Sequence, residues 1–160
     1  MSALYDRDFN LWIQKTASDL KSKDMDAIDW NNSIDEIEGM GKSKRCALQS
    51  YLERLIERLL KRRATAQIAA FGDLDANASA YWEAEKERCQ RGWKIEINEF
   101  RSRIERILED SPSLKNYLEE IYSKIHNLAV ARMSIAFELP EDASISKDFA
   151  LSKEFSDEQI

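Results

Sequence analysis

Glycine and proline are scarce in this chain, whose 160 residues include only four glycines and two prolines. A β-rich domain needs many tight turns, and these two residues supply much of the backbone geometry that such turns require. Their scarcity therefore favours an all-α fold. No apolar run approaches the ~20 residues that cross a bilayer. We therefore expect a soluble protein that makes no membrane contact.

Histidine and cysteine are equally rare, with one histidine, His126, and two cysteines, Cys46 and Cys89. Structural zinc needs four such ligands at short spacing. A carboxylate-bridged di-iron site needs Glu-x-x-His pairs, whereas Ser123 stands three residues before His126. These absences predict that the protein holds no metal or other cofactor. Two distant cysteines without a secretory leader indicate reduced thiols and a cytoplasmic location.

Charged residues are abundant, at 34% of the chain, and hydrophobic residues make up 43%. This balance suits long helices that each have one apolar and one solvated face. The length is enough for one domain with a substantial core. Because the net charge is −6, nucleic acid would have to bind at a local basic patch.

Apolar residues recur at three- and four-residue steps in five segments, which predicts five helices. The predicted helices lie at about residues 6–23, 29–38, 42–63, 80–109 and 111–137. We expect Gly39 to end the second helix in a left-handed conformation. Ser111 and Pro112 are a favoured pair for starting the fifth.

The predicted architecture is an all-α bundle of about five helices. A long antiparallel pair near residues 42–71 and 80–109 forms its centre. Residues 1–139 are expected to form a single domain, and residues 140–160 an acidic tail. Ile145, Phe149 and Phe155 are the residues with which that tail would dock a short helix.

Several segments resemble a bacterial family known as domain of unknown function 29, which is frequent in photosynthetic bacteria. The likeness is carried, in this order, by YDRDFNLWIQ, the ID pair at Ile28, DEIEGMG, LERLIERLLKR and WKIEINEFRSRIERILEDSPSL. Together these segments cover most of residues 5–139. The resemblance implies a helical fold and a bacterial origin, and it implies no activity. Arg58 stands where the family pattern has histidine, and Arg62 where it has tryptophan.

The segment GMGKS, residues 39–43, is similar to part of a phosphate-binding loop. The full pattern needs a glycine where Glu36 stands, and a buried strand upstream. The upstream residues instead have a helical pattern. We therefore interpret GMGKS as a junction between two helices.

A polar cluster of Asp35, Glu36, Glu38 and Arg101 is one candidate site. Asp35 and Glu38 are three residues apart and share a helix face, so both can reach one cation. The first interpretation is an acidic helix end that pairs with basic side chains. A weak Mg²⁺ or Ca²⁺ contact is the alternative.

A basic run on the third helix is the main candidate interaction surface. It comprises Arg54, Arg58, Lys61, Arg62 and Arg63, and eight bases face two acids between residues 42 and 63. Such a face can hold phosphates. The acidic tail, with seven acids and two lysines from residue 138 onward, is an alternative partner within the chain. A solvated or internally paired face is the first interpretation, a protein partner the second and nucleic acid the third.

Catalytic residues form no recognisable constellation. Cys46 is the more reactive thiol by position, because the predicted start of the third helix and nearby bases lower a thiol pKa. Cys89 lies on an apolar stripe and is predicted to be a core residue. His126 is expected to be partly buried and hydrogen-bonded rather than a catalytic base.

The sequence thus predicts a non-catalytic helical interaction module with a protein partner or a second copy of itself. The long fourth helix, which includes Tyr81 and Trp82, is the predicted dimer contact. The first rival is nucleic-acid binding through the basic face of residues 42–63. The second rival is a metal- or thiol-dependent enzyme centred on Glu36, Glu38 and Cys46.

Overall fold

A computed structural model of the chain describes residues 4–68, 76–136, 139 and 143–152, without the side chains of 66–68, 76–86 and 90. Six helices lie within these ranges: α1 (Leu4–Arg7), α2 (Phe9–Ser22), α3 (Trp30–Ile68), α4 (Ala76–Asp110), α5 (Leu114–Met133) and α6 (Lys147–Leu151). The described residues contain no strand, and the all-α prediction is confirmed. None of the described helices combines the length and the apolar character that crossing a membrane requires.

The predicted junction at GMGKS is wrong, because α3 continues through it as one helix of 39 residues. Gly39 and Gly41 have ordinary helical backbones without positive φ. A glycine inside a helix costs only about 1 kcal/mol relative to alanine, and Glu38, Met40 and Lys42 around them are good helix formers. The phosphate-loop interpretation fails as well, since helical bonding already uses the amides that would bind phosphate.

The start of the fifth helix also differs from the prediction. Ser111 and Pro112 lie in a turn, and α5 begins at Leu114 with Ser113 as its N-cap residue. The amides of Leu114 and Lys115 donate to the carbonyls of Ser111 and Pro112 at 3.0 and 3.1 Å. Hydrogen bonds between residues three apart, as in a 3₁₀ turn, therefore satisfy the first amides of α5 without a side-chain cap.

The chain divides into two compact units, an N-terminal unit (Met1–Arg45) and a C-terminal unit (Cys46–Ile160). Helix α3 contributes its first part to the former and its remainder to the latter. The division proposed from the sequence, with a boundary after residue 139, stays a prediction.

The hydrophobic core that the structure describes belongs to the C-terminal unit. Its largest fully buried side chains come from two helices, α3 and α4: Leu48, Leu52, Leu55, Ile56, Leu59, Leu60, Ile97 and Ile104. Their steps of three and four residues place them on one face of each helix. α5 adds Leu118, Tyr122, Ile125, Ala129 and Met133 to the same core.

Side-chain pairs show how the long helices run in this unit. Arg103 donates to the Tyr51 hydroxyl at 3.0 Å, and Arg58 forms an ion pair with Glu96. Between these two contacts the residue numbers rise along α3 and fall along α4. The two helices are therefore antiparallel, which confirms the prediction. α5 runs parallel to α3, because Gln49 contacts Tyr117 and, further along both helices, Glu57 contacts Arg132.

The N-terminal unit depends on capping and aromatic contacts. The Asp8 carboxylate accepts from the Leu11 amide at 2.9 Å and so caps α2. The rings of Tyr5, Phe9 and Trp12 pack together, with centroid separations of 5.0 to 5.7 Å. Among the described residues of this unit, Trp12 and Ile28 are the buried hydrophobic side chains.

Candidate functional site

The N-terminal unit exposes many large apolar side chains, with between 42% and 68% of their area accessible. This N-terminal apolar surface comprises Phe9, Leu11, Ile13, Leu20, Met25, Trp30, Ile34, Ile37 and Met40. Among the described residues of the C-terminal unit, the corresponding set is Ile95, Leu128 and Ile135. Monomeric proteins rarely expose large apolar areas unless a partner covers them.

Helical spacing collects six of these nine side chains into two stripes. Trp30, Ile34 and Ile37 follow one another at i, i+4 and i+7 on α3, and therefore share one face of that helix. Phe9, Ile13 and Leu20 fall within one narrow stripe of α2. Their spacing is that of core positions, whereas the structure leaves them open to solvent.

The indole of Trp12 adds a further observation in the same unit. The side chain is only 6% exposed, and its Nε1 donor has no hydrogen-bond partner in the described part of the chain. Buried donors are nearly always paired, and leaving one unpaired costs roughly 1–3 kcal/mol. The unpaired indole donor is thus a local cost within the N-terminal unit.

The predicted polar cluster is divided between the two units. Asp35 and Glu38 are exposed on α3, and Glu36 accepts from the Tyr5 hydroxyl at 2.5 Å. This hydrogen bond is the main cause that raises the pKa of Tyr5. The fourth member, Arg101, belongs to α4 of the C-terminal unit. Within the described residues, no three acidic, histidine or cysteine side chains converge as a metal site would require.

Arg101 is buried, at 7% exposure, and it caps the end of α6. Its Nε donates to the Ala150 carbonyl at 2.7 Å, and its Nη2 to the Phe149 carbonyl at 3.0 Å. Burial is the main cause that lowers the pKa of Arg101, and the neighbouring charge of Arg62 lowers it further. Arg101 thus serves as a structural anchor for the last described helix.

Much of the predicted basic face is used within the chain. Arg58 pairs with Glu96, and Arg62 is 9% exposed. Arg63 donates to the Ser144 carbonyl at 2.5 Å and lies 5.8 Å from the centre of the Phe149 ring. Arg54 is exposed and Lys61 half-buried. These contacts fit an internally paired face, with carbonyl groups and an aromatic ring as the partners of Arg63.

Residues 143–152, here called the C-terminal segment, pack on the core through Ile145 and Ala150, which are 3% and 0% exposed. The Tyr122 hydroxyl donates to the Ile145 carbonyl at 2.7 Å. Burial, with a smaller contribution from Asp148, raises the pKa of Tyr122 to about 12. The Ile145 amide donates to Nε2 of His126 at 3.1 Å, so this histidine is half-buried and hydrogen-bonded as predicted.

An open groove of about 670 Å³ lies between α4, the start of α5 and the end of α6. Its lining includes Arg101, Glu105, Glu109, Lys115 and Leu151. Positive and negative groups alternate over this surface, and Arg101 already binds two main-chain carbonyls. The groove therefore favours no particular class of ligand.

Cys46 does not lie at the start of a helix, where the sequence analysis placed it. Cys46 is exposed and Cys89 half-buried, and both are free thiols. Cys46 lies sixteen residues into α3, far from the helix start at Trp30. The predicted position of Cys46 at the start of a helix is therefore wrong.

A protein-family model, described as "Domain of unknown function DUF29", matches residues 4–160. The chain belongs to the DUF29 family. The resemblance inferred from the sequence motifs is thereby confirmed. Comparison of this DUF29 chain with curated proteins and with solved structures gave no match.

The structure shows where Arg58 and Arg62 lie, the two residues of this DUF29 chain that depart from the family motif. Arg58 forms its ion pair with Glu96 across the α3–α4 contact. Arg62 is buried beside the core, and its charge acts on Arg101. Sequence reasoning missed the capping role of Arg101. The available signal was one arginine on the otherwise apolar face of α4, between Ile97 and Ile104.

Proposed function

We propose that this DUF29 protein is a non-catalytic interaction module of the bacterial cytoplasm, and that its N-terminal apolar surface binds another protein. One observation carries the proposal: among the side chains that the structure describes, the exposed large apolar ones are concentrated in the N-terminal unit. Burying such side chains yields about 25 cal/mol per Å² of apolar area. A bound partner protein would bury the apolar side chains of this unit that are exposed in the isolated chain.

The two stripes suit recognition of a helix face. Ile34 and Ile37 on α3, and Phe9 and Ile13 on α2, provide anchors at the spacing that helix-in-groove complexes use. Trp30 is a further anchor, because tryptophan is over-represented among the residues that dominate binding energy. The face of the partner that meets these stripes would therefore be apolar.

Charge defines the partner further. Residues 4–40, which span the N-terminal apolar surface, contain nine acids and four bases, a net charge of −5, and Lys42, Lys44 and Arg45 follow at the end of the unit. Charges at the rim of an interface steer association and select partners. We therefore infer that the partner presents a helix with apolar anchors flanked by lysine or arginine. The same charge opposes pairing of this surface with its counterpart on a second copy.

The rival functions receive less support. Nucleic-acid binding would use the basic face of α3, where Arg58 and Arg63 already have partners within the chain. An enzyme centred on Glu36, Glu38 and Cys46 would need these groups to converge. Glu36 is instead bonded to Tyr5, and Cys46 is ten residues further along the helix.

Designed helical peptides test the proposal directly. One set carries leucine anchors at i, i+3, i+4 and i+7 with lysine flanks, and a second set has the same anchors with glutamate flanks. Fluorescence anisotropy measures binding to the full chain, to an I34E/I37E variant and to an I95E control. Ile95 is a matched control because it is 70% exposed on α4 of the C-terminal unit.

We expect the lysine-flanked set to bind, and the I34E/I37E variant to lose roughly tenfold or more in affinity. The two glutamates add negative charge, so charge attraction alone would strengthen binding to these peptides. Equal loss in I95E, or equal binding of both peptide sets, would contradict the proposal. A dimer that light scattering detects and that I34E/I37E dissociates would identify a second copy as the occupant instead.

A further inference from the structure

The C-terminal segment makes several polar contacts through its main chain, in addition to the packing of Ile145 and Ala150 on the core. Side chains of α3, α4 and α5 donate to its carbonyls: Arg63 to Ser144, Tyr122 to Ile145, and Arg101 to both Phe149 and Ala150. An ion pair between Lys147 and Glu119 adds to these bonds. The segment is thus attached to the core by several separate polar contacts.

The contact with His126 differs from the others in its direction. Here the segment donates, from the Ile145 amide, and Nε2 of the imidazole accepts at 3.1 Å. A ring nitrogen accepts a hydrogen bond only while it carries no proton. Protonation of His126 would remove this bond and set a positive N–H group against the amide hydrogen.

We propose that His126 is an acid-sensitive latch, which holds the C-terminal segment on the core while its imidazole is neutral and loosens the segment when it is protonated. Histidine is the side chain whose ordinary titration range lies between about pH 5 and pH 8. The bond is present while the ring is neutral and is lost when acid protonates Nε2. Loosening would uncover the surfaces that Ile145 and Ala150 now cover.

The side chains around His126 include one tyrosine and several charged groups. Tyr122 stacks on the His126 ring, with centroids 6.3 Å apart. Because the pKa of Tyr122 is raised to about 12, its bond to the segment does not change in this pH range. Among the described residues, the charged groups that contact the segment include Arg63, Arg101, Lys147, Glu119 and Asp148, and Arg62 acts on Arg101. A cation on His126 would add to the positive charge of the basic members of this set.

Hydrogen exchange measured by NMR on the full chain tests the latch. Protection factors, which correct for the intrinsic pH dependence of exchange, are compared at about pH 7.5 and about pH 5. We expect the amides of Ile145, Phe149 and Ala150 to lose at least about fivefold in protection, the effect of one ordinary hydrogen bond. Amides in the middle of α3, such as that of Leu55, should keep theirs.

Two variants separate the latch from other effects of acid. In H126Q the amide oxygen can accept the same bond without titrating, so protection should be independent of pH. Y122F removes the bond that does not titrate, so protection should fall at both pH values while their ratio stays that of the native chain. The imidazole Cε1–H signal reports protonation of the ring in the same samples.

Three results would overturn the latch. The ring could stay neutral at about pH 5, or it could become protonated without any loss of protection in the segment. Alternatively, H126Q could show the same acid-induced loss as the native chain, which would assign the effect to carboxylates such as Glu119.

Discussion

Ile37 and Ile56 are the same residue type on the same helix, α3, yet they have opposite environments. Ile37 belongs to the N-terminal unit and is 68% exposed, whereas Ile56 belongs to the C-terminal unit and is fully buried. The difference comes from what surrounds each position, since α4 and α5 enclose the later part of α3. Helix formation and core formation are thus separate properties along α3.

The largest expected effect compares these two isoleucines directly. Ile56→Ala should lower the free energy of unfolding by about 2–5 kcal/mol, because it removes buried apolar area and leaves a cavity. Ile37→Ala should change it by less than about 0.5 kcal/mol. Urea denaturation followed by circular dichroism measures both. Equal destabilisation by the two changes would show that Ile37 is buried in solution and would break the comparison.

An intermediate effect is expected where the C-terminal unit relies on polar contacts. Arg101→Met keeps the apolar stem but removes the donor to the Ala150 carbonyl, whereas the Phe149 carbonyl keeps its bonds from Ser152. We expect a loss of about 1–3 kcal/mol, the range for unsatisfied buried polar groups. Arg106→Met, at an exposed position on the same helix, is the matched control for urea denaturation. A loss no larger than that of the control would mean that the apolar contacts alone hold α6.

The smallest effect is a gain in stability from glycines inside helices. Gly41 in the N-terminal part of α3 and Gly92 in α4 both have open space where a Cβ would stand. Alanine at either site should stabilise its helix by about 0.5–1 kcal/mol. If the two units unfold separately, thermal denaturation of Gly92→Ala should show the gain in the main transition, and Gly41→Ala should not. A decrease in stability on Gly41→Ala would argue against a continuous α3.

Apolar periodicity was sufficient to predict the fold class and the antiparallel pairing of the two long helices. The apolar stripe of α3 between Leu48 and Leu60 is dense and regular. Its buried members are Leu48, Leu52, Leu55, Ile56, Leu59 and Leu60. The continuity of α3 was harder to foresee, because a glycine can end a helix or lie within one. The choice depends on about 1 kcal/mol of local propensity, which the surrounding structure easily outweighs.

The candidate site was less predictable, because exposure is not a property of one helix. Trp30, Ile34 and Ile37 have the same spacing as core residues, and only the absence of a covering neighbour among the described residues makes them a surface. The roles of Arg63 and Arg101 were also out of reach. Their partners are main-chain carbonyls near the other end of the chain, and every residue type carries such a carbonyl.

Attachment through carbonyls has a consequence for how freely the C-terminal segment can vary. Positions such as Ser144 and Phe149 offer Arg63 and Arg101 an oxygen that any substitution would leave in place. Mutational drift at exposed positions should therefore alter the chemistry that the segment shows to solvent without displacing it. Proline is a different case, because at Ile145 it would delete the amide that bonds to His126. The side chains of the segment that face solvent can thus change while its main chain stays bonded to the core.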